Sequence, residues 1–383
     1  MQVCLGATYS WSVYVRPIRE LTGLLQGPVQ LPFTLFYFVF PATMLLTGAL
    51  LPRLGPRFCA VFGGFCFGCG WMLASLGHLH FAFTVIGIGL VAGVGAGFAY
   101  IVPIATCMRW FPDRKGLVTG VAVAGFGGGA ALVSKGAGQL LSTMQWTPFA
   151  TFFLFGAIFL VAVTVSGLFM QNPPEGEKTS QPAPLMAASV IGDPRFRLLY
   201  LAMFAGLAAG FTVNANLKEL FPQGAVSAGV TAVAFFALAN AVGRVAWGAF
   251  ADRINSHVTI RLNLCGQALI LLLSPLILVS DRGLWLYALL TGFHYGGVLV
   301  LYAATVAGVW GHRHVGQVYG WLFSANIPAA LAPLAAGMLF DRTHSFTLPL
   351  QLLGGLLLLA MLCTARLGKN PPHIKEIREL TEA

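Results

Sequence analysis

FFALANAVGRVAWGAFADR, Phe235 to Arg253, has the composition of a membrane-crossing helix and carries one arginine, Arg244, in its middle. Burying a guanidinium in hydrocarbon costs at least roughly 2.5–3.5 kcal/mol on insertion scales. Arginine keeps its proton, so such a side chain must snorkel to an interface, pair with a carboxylate of the protein, or face an aqueous cavity that receives an anion. The middles of the other apolar runs hold no Asp, Glu, Lys or Arg. The sequence therefore places no protein carboxylate at the depth of Arg244. Snorkelling is the competing reading, because Asp252 at the end of the run is only eight residues away, about 12 Å of helix.

Working outward, 57% of the 383 residues are hydrophobic and 9% charged, against about 25% charged in a soluble domain. This is the composition of an integral membrane protein. The net charge of +10 would suggest nucleic acid in a soluble chain, but the bases sit in short loops between apolar runs, where they act as topology signals. Nucleic-acid binding is excluded on that pattern. The seven cysteines lie in or beside apolar runs, and Cys66 and Cys69 form a CxxC with no second pair. That spacing reads as two small residues on one helix face rather than as a metal or redox site.

Twelve apolar runs can be marked, at about 1–15, 29–51, 58–76, 81–107, 117–141, 147–170, 196–217, 226–250, 258–280, 284–309, 316–340 and 346–366. All but the first can cross a hydrocarbon core of about 30 Å, which takes about 20 helical residues. The first reaches only about 22 Å, and Met1 opens directly into apolar sequence without a basic region or cleavage site. The expectation is that the sequence begins inside the true first span. Of the 22 lysines and arginines, Arg244 is within a span. Arg16, Arg19, Lys135, Lys218, Arg282 and Arg342 fall on one side and the remaining fifteen on the other. This bias puts both termini in the cytoplasm of a multi-pass cell-membrane protein.

The chain also repeats itself. GALLPRLGPR, Gly48 to Arg57, follows the second run, and GAFADRINSH, Gly248 to His257, follows the eighth, 200 residues later. Asn172-Pro173-Pro174 ends the sixth run as Asn370-Pro371-Pro372 ends the twelfth. The expected organisation is a six-helix bundle over 1–170, a cytoplasmic linker over 171–195, a second six-helix bundle over 196–367 and a cytoplasmic tail over 368–383. Duplicated bundles place their substrate site near mid-membrane, where the halves meet.

Two six-span halves with these GxxxDR-like loops resemble the major facilitator superfamily. RWFPDRKG, Arg109 to Gly116, running into the glycine-rich VTGVAVAGFGGG, resembles the oxalate/formate antiporter family, a relative of the monocarboxylate transporters. ATYSW at Ala7 to Trp11, the fourth run ending at Tyr100, and GMLFDRT at Gly337 to Thr343 are similar to that family too. The resemblance implies an all-α fold of twelve transmembrane helices and a carboxylate-binding arginine at Arg244. It further implies gating roles for Arg53, Asp252 and Arg253 in the GxxxDR-like loops, and for Arg109 and Asp113 between the fourth and fifth runs. The first loop departs from the superfamily in having Pro52 where an aspartate is usual.

Several other residues are candidates for the site. Asn240 stands one turn from Arg244. His294 and Tyr295 lie ten residues into the tenth run; His294 is the only deep side chain that titrates near neutral pH, and hence a proton-coupling candidate as well as a substrate contact. Tyr295, Tyr100 and Tyr9 can donate hydroxyls to an anion while their rings exclude water, or can be core packing. Asn326 stands where the resemblance implies a lysine in oxalate exchangers. With one cation, a dianion would leave about one charge unbalanced at low dielectric, which favours monoanions such as formate, acetate, lactate or pyruvate. Lys135 and the pair Lys218–Glu219 are expected at the outer surface, the pair solvated. Glycines 89, 93, 97, 125, 127, 128 and 129 have neither a preceding strand nor a following GK[ST], so they read as helix-contact faces rather than phosphate loops.

No nucleophile–base pair, carboxylate dyad or metal cluster is visible, so neither an enzyme nor a cofactor is expected. The reading is a monomeric secondary transporter of small monocarboxylates, working by alternating access as an exchanger or with protons. The alternatives are an oxalate/formate-type exchanger, a non-transporting carboxylate sensor, and an exporter of apolar drugs.

Overall fold

The computed structural model describes residues 1–111, 115–173, 186–221, 223–224, 226–310 and 315–365. These residues contain helices and no strand. In the first half, α1 runs in three pieces, Gln2–Leu5, Gly6–Ser10 and Ser12–Thr22, and α2 in two, Gln26–Val29 and Leu31–Leu54. α3 is Pro56–Ala74; α4 passes through a π-helical stretch, Val85–Ala92, into Gly93–Trp110. α5 is Lys115–Ser142 and α6 is Pro148–Leu168. In the second half, α7 is Pro194–Asn216, α8 Val226–Arg253, α9 Ser256–Leu272 and α10 Asp281–Trp310. α11 is broken into Val315–Phe323, Asn326–Ala329 and Leu331–Thr343, and α12 is Thr347–Thr364.

Among the described residues nine helices are long and apolar enough to cross a membrane, with α9 a shorter apolar helix. Together with α1 and α5 they make the twelve-helix set. The run that loses its apolar character near residue 15 continues as helix to Thr22, where Gly23 at φ +70° closes it in the left-handed conformation that glycine adopts without strain. Within 171–195, Ala187–Gly192 form a short helix, and Pro194 already opens α7 with the Asp193 side chain accepting from the Arg195 N–H. Leu132, Phe153, Val161, Val245, Leu276 and Leu359 point outward, a surface that hydrocarbon, not water, would cover.

Six of the seven glycines singled out act as contact faces, whereas Gly128 has nothing within 4 Å of its Cβ position and faces outward. On α4, Gly89, Gly93 and Gly97 lie against Leu35, Val39 and Thr43 of α2, and on α5, Gly125 and Gly129 lie against α1. Gly127 meets Ala237 and Ala241 of α8, one of the seams between the halves. On the second half, Gly243, Gly292 and Gly296 let α8 and α10 pack backbone to backbone.

One end of the bundle carries the exposed Arg53, Arg109, Arg197 and Arg253, and is called here the base-rich end. At the opposite, base-poor end the halves are tied together. The backbone N–H groups of Gln26 and Gly27 both donate to the Asp341 carboxylate, at 2.8 Å each. Gln26 and Gln30 donate through Nε2 to Asn216 Oδ1 at 2.8 and 2.9 Å, and Arg19 donates to Gln26 Oε1 at 3.1 Å. A Cβ on Gly337 would fall 2.9 Å from the Gly27 Cα, so α2 and α11 come closer here than a side chain at that position would allow. The expectation of a solvated Lys218–Glu219 pair is corrected: the two are only 8% and 5% exposed. α1 folds over them, with Lys218 Nζ donating to the Val13 carbonyl at 3.4 Å and Arg19 standing 3.9 Å from Glu219.

Candidate functional site

Arg244 is 6% exposed, and Asn240, one helical turn earlier on α8, is fully buried. The guanidinium Nε donates to Asn240 Oδ1 at 3.0 Å. Gly296 of α10 presses against the backbone of both residues. The i,i+4 spacing aligns the amide with the guanidinium, and the close α8–α10 contact holds that face of α8 in place.

Tyrosines gather beside this arginine. Tyr37, Tyr100, Tyr295 and Tyr319 all lie within electrostatic reach of the Arg244 charge. Tyr9 from the first half and Tyr295 from the second share a hydrogen bond, Oη to Oη, at 3.0 Å. The Tyr9 ring stacks on Tyr37 at 5.8 Å and meets Phe126 edge-on at 5.1 Å; Tyr100 meets Phe126 edge-on at 5.5 Å. Phe211 of α7 lies 4.4 Å from Tyr37, and Phe236 of α8 stacks on Tyr295 at 5.8 Å. The result is an aromatic enclosure built from α1, α2, α4 and α5 on one side and α7, α8 and α10 on the other. Such a wall is apolar on its ring faces and polar at its hydroxyls, suited to a small anion whose charge is met by a guanidinium.

Of the residues singled out from the sequence, the fold brings together Arg244, Asn240, Tyr9, Tyr100 and Tyr295. It does not bring His294 to them. The ring of His294 packs 5.2 Å from Trp247 and over Gly266 of α9, and its Nδ1 has no hydrogen-bond partner among the described residues. Successive helical residues differ by about 100°, so Tyr295 turned toward the enclosure sends His294 away from it. Asn326 is buried, but its amide nitrogen donates to the Phe323 carbonyl at 2.7 Å, satisfying the break in α11. Arg53, Arg109 and Arg253 are exposed at the base-rich end. Asp113 and the side chain of Asp252 lie outside the described residues.

The sequence reading missed Tyr37. It is 2% exposed in the middle of α2, and its hydroxyl has no partner of ordinary hydrogen-bond geometry among the described residues. The signal was a lone phenol inside the phenylalanine-rich FTLFYFVF. Also missed was the network of Gln26, Gln30, Asn216 and Asp341, visible only as isolated amides and one acid near run ends.

These features are those of a membrane carrier with a central site. Residues 2–326 match the Major Facilitator Superfamily, and the chain belongs to that superfamily, whose members are transporters and not enzymes. It is 26% identical over 337 residues to the oxalate:formate antiporter of Oxalobacter formigenes, covering 85% of this chain and 79% of that one. It is 25% identical over 359 residues to apicoplast pyruvate carrier 1 of Toxoplasma gondii, covering 75% and 65%, and 27% identical over 341 residues to human (Homo sapiens) monocarboxylate transporter 11, covering 81% and 68%. The resemblance read from RWFPDRKG therefore holds. Among solved structures, a bacterial homologue of the human lysosomal transporter Spinster, in an inward-facing and occupied conformation, aligns with a TM-score of 0.74 at 12% identity over 95% of this chain and 93% of that one. The transporter FucP in an outward conformation aligns with a TM-score of 0.59 at 14% identity, over 95% and 97%. Both support the fold.

Proposed function

We propose that this transporter carries small monocarboxylate anions by alternating access, with Arg244 as the carboxylate-binding group. The observation that carries the reading is a buried guanidinium within electrostatic reach of tyrosine hydroxyls contributed by both halves. Arg244 offers parallel N–H donors to the two oxygens of a carboxylate. Tyr9 and Tyr295 now bond each other across the halves. An anion between them would accept from both hydroxyls, so an occupied site ties the halves together through charge-assisted bonds that the empty one lacks. Occupancy then favours the occluded state by its differential affinity for that state.

The moving bodies in this reading are residues 1–170 and 196–367, joined by 171–195, with the base-rich end in the cytoplasm and the protein in a plasma or inner membrane, acting as a monomer. Exchange is favoured over proton symport, because His294, the proton-carrying candidate, packs on α9 rather than at Arg244. Similarity to an oxalate:formate antiporter supports a second reading, oxalate–formate exchange. Asn326, a neutral amide bonded to its own helix, weighs against the dianion.

Purified protein in liposomes tests this. Uptake of labelled formate, lactate or pyruvate should depend on a carboxylate trapped inside, change little with a pH gradient, and vanish in Arg244→Lys. Uptake driven by a pH gradient into anion-free vesicles would reject exchange. Preferential oxalate uptake would reject the monoanion assignment.

A further inference from the structure

Away from the tyrosine enclosure, a cavity of about 550 Å³ opens near the base-rich end between α2, α7 and α11. Its walls include Leu45 of α2, Tyr200, Leu201 and Phe204 of α7, and Trp321 and Pro328 of α11. One wall thus belongs to the first half and the others to the second. At the rim α2 and α11 come into ordinary contact, with a Cβ on Gly320 falling 3.7 Å from Leu45 Cδ2. The lining is mostly apolar, with the Tyr200 and Ser324 hydroxyls 3.5 Å apart, and it carries one charge, Arg197, which stands exposed where α7 begins and is steadied by its Nε donating to the Ile191 carbonyl at 3.2 Å.

This chemistry does not suit the transported anion. A water-filled path for a carboxylate needs donors along its length, and this cavity offers one cation at its mouth and, apart from the Tyr200 and Ser324 hydroxyls, mostly carbon below it. From Arg197 to Phe204 α7 rises about 10 Å, which takes the cavity from the level of the first helical turn into the hydrocarbon. Guanidinium groups bind phosphate through parallel N–H donors, basic pockets between transmembrane helices on the cytoplasmic side take anionic head groups, and aromatic residues such as Tyr200 and Trp321 collect at the membrane interface. We infer that this crevice is a binding site for an anionic phospholipid of the adjoining leaflet, its phosphate on Arg197 and one acyl chain lodged between Leu45 and the α7–α11 wall.

The test uses the full chain in nanodiscs doped with phosphatidylglycerol or phosphatidylcholine carrying a photoactivatable acyl chain, with cross-links mapped by mass spectrometry. Cross-links should concentrate on α2, α7 and α11 around Leu45, Leu201 and Phe204, several-fold more with phosphatidylglycerol. Arg197→Gln should bring the two lipids level, and Leu45→Trp, which fills the crevice, should remove these cross-links while leaving those elsewhere on the bundle. Cross-links spread evenly over the outward-facing helices, or equal labelling by both lipids in the unmodified protein, would overturn the proposal. So would labelling at these residues that persists in a folded Leu45→Trp protein. The readout is lipid occupancy without transport, so it stands or falls apart from the carboxylate reading.

Discussion

At the scale of single residues, the proposed chemistry rests on donors arranged around Arg244. A hydrogen bond to a charged group contributes about 1.5–3 kcal/mol, and each 1.4 kcal/mol is tenfold in affinity. Replacing Arg244 by alanine is therefore expected to weaken formate or lactate binding by at least roughly tenfold to hundredfold, measured by ligand-induced thermal shift or calorimetry on purified protein. Tyr37→Phe keeps the ring that packs on Phe211 and Tyr9 and removes only the hydroxyl. Affinity should fall several-fold with unfolding temperature unchanged if that hydroxyl meets the anion, and stay level if Tyr37 is wall alone. His294→Gln should leave anion exchange near the unmodified rate, because the ring faces Trp247 and α9; loss of exchange in a stable variant would return the histidine to the transport cycle.

At the scale of elements, two contacts decide how the helices hold. The first is the tie between α11 and the first turn of α2, where Asp341 accepts two backbone N–H groups. A carboxylate at a helix N-terminus contributes about 0.3–1 kcal/mol, rising to about 2 in partly buried geometry, and Asp341→Asn would turn an amide N–H₂ toward one of those donors. This variant should move the halves apart at the base-poor end, seen as a several-fold rise in the labelling rate of a cysteine placed at Gln30. An unchanged rate would show the contact to be incidental. The second is the α8–α10 seam. A Cβ on Gly292 or Gly296 would run into the α8 backbone, whereas one on Gly128 meets nothing within 4 Å. Overpacking costs about 1–3 kcal/mol, so Gly292→Val should lower the unfolding temperature in detergent by several degrees while Gly128→Ala does not. Periodicity alone could mark these glycines as contact faces. It could not say that Gly127 faces the other half while Gly129 faces α1, because spacing gives a helix face but not its neighbour.

At the scale of the whole molecule, one buried guanidinium at the tyrosine enclosure makes charge the basis of selectivity. Formate should compete for the site better than oxalate by tenfold or more, since the second carboxylate would be desolvated without a partner of its own. Equal competition would mean that a further donor reaches the anion. How much of this was legible depends on range. The apolar runs, the repeat at a 200-residue offset, the RWFPDRKG motif and the single deep arginine are all local patterns in the chain, and hydrocarbon imposes helices on any run that must satisfy its own backbone. The sequence by itself therefore determined the twelve-helix class and singled out Arg244 as the candidate. Only the tertiary structure decided that Tyr9 would meet Tyr295 across 286 positions, that Tyr37 would join them, that His294 would face away, and that Lys218 and Glu219 would be covered by α1. Those outcomes depend on how each helix is rotated about its axis and which helix packs beside it, and that rotation is set by backbone contacts through glycine and by interhelical hydrogen bonds that no single run contains.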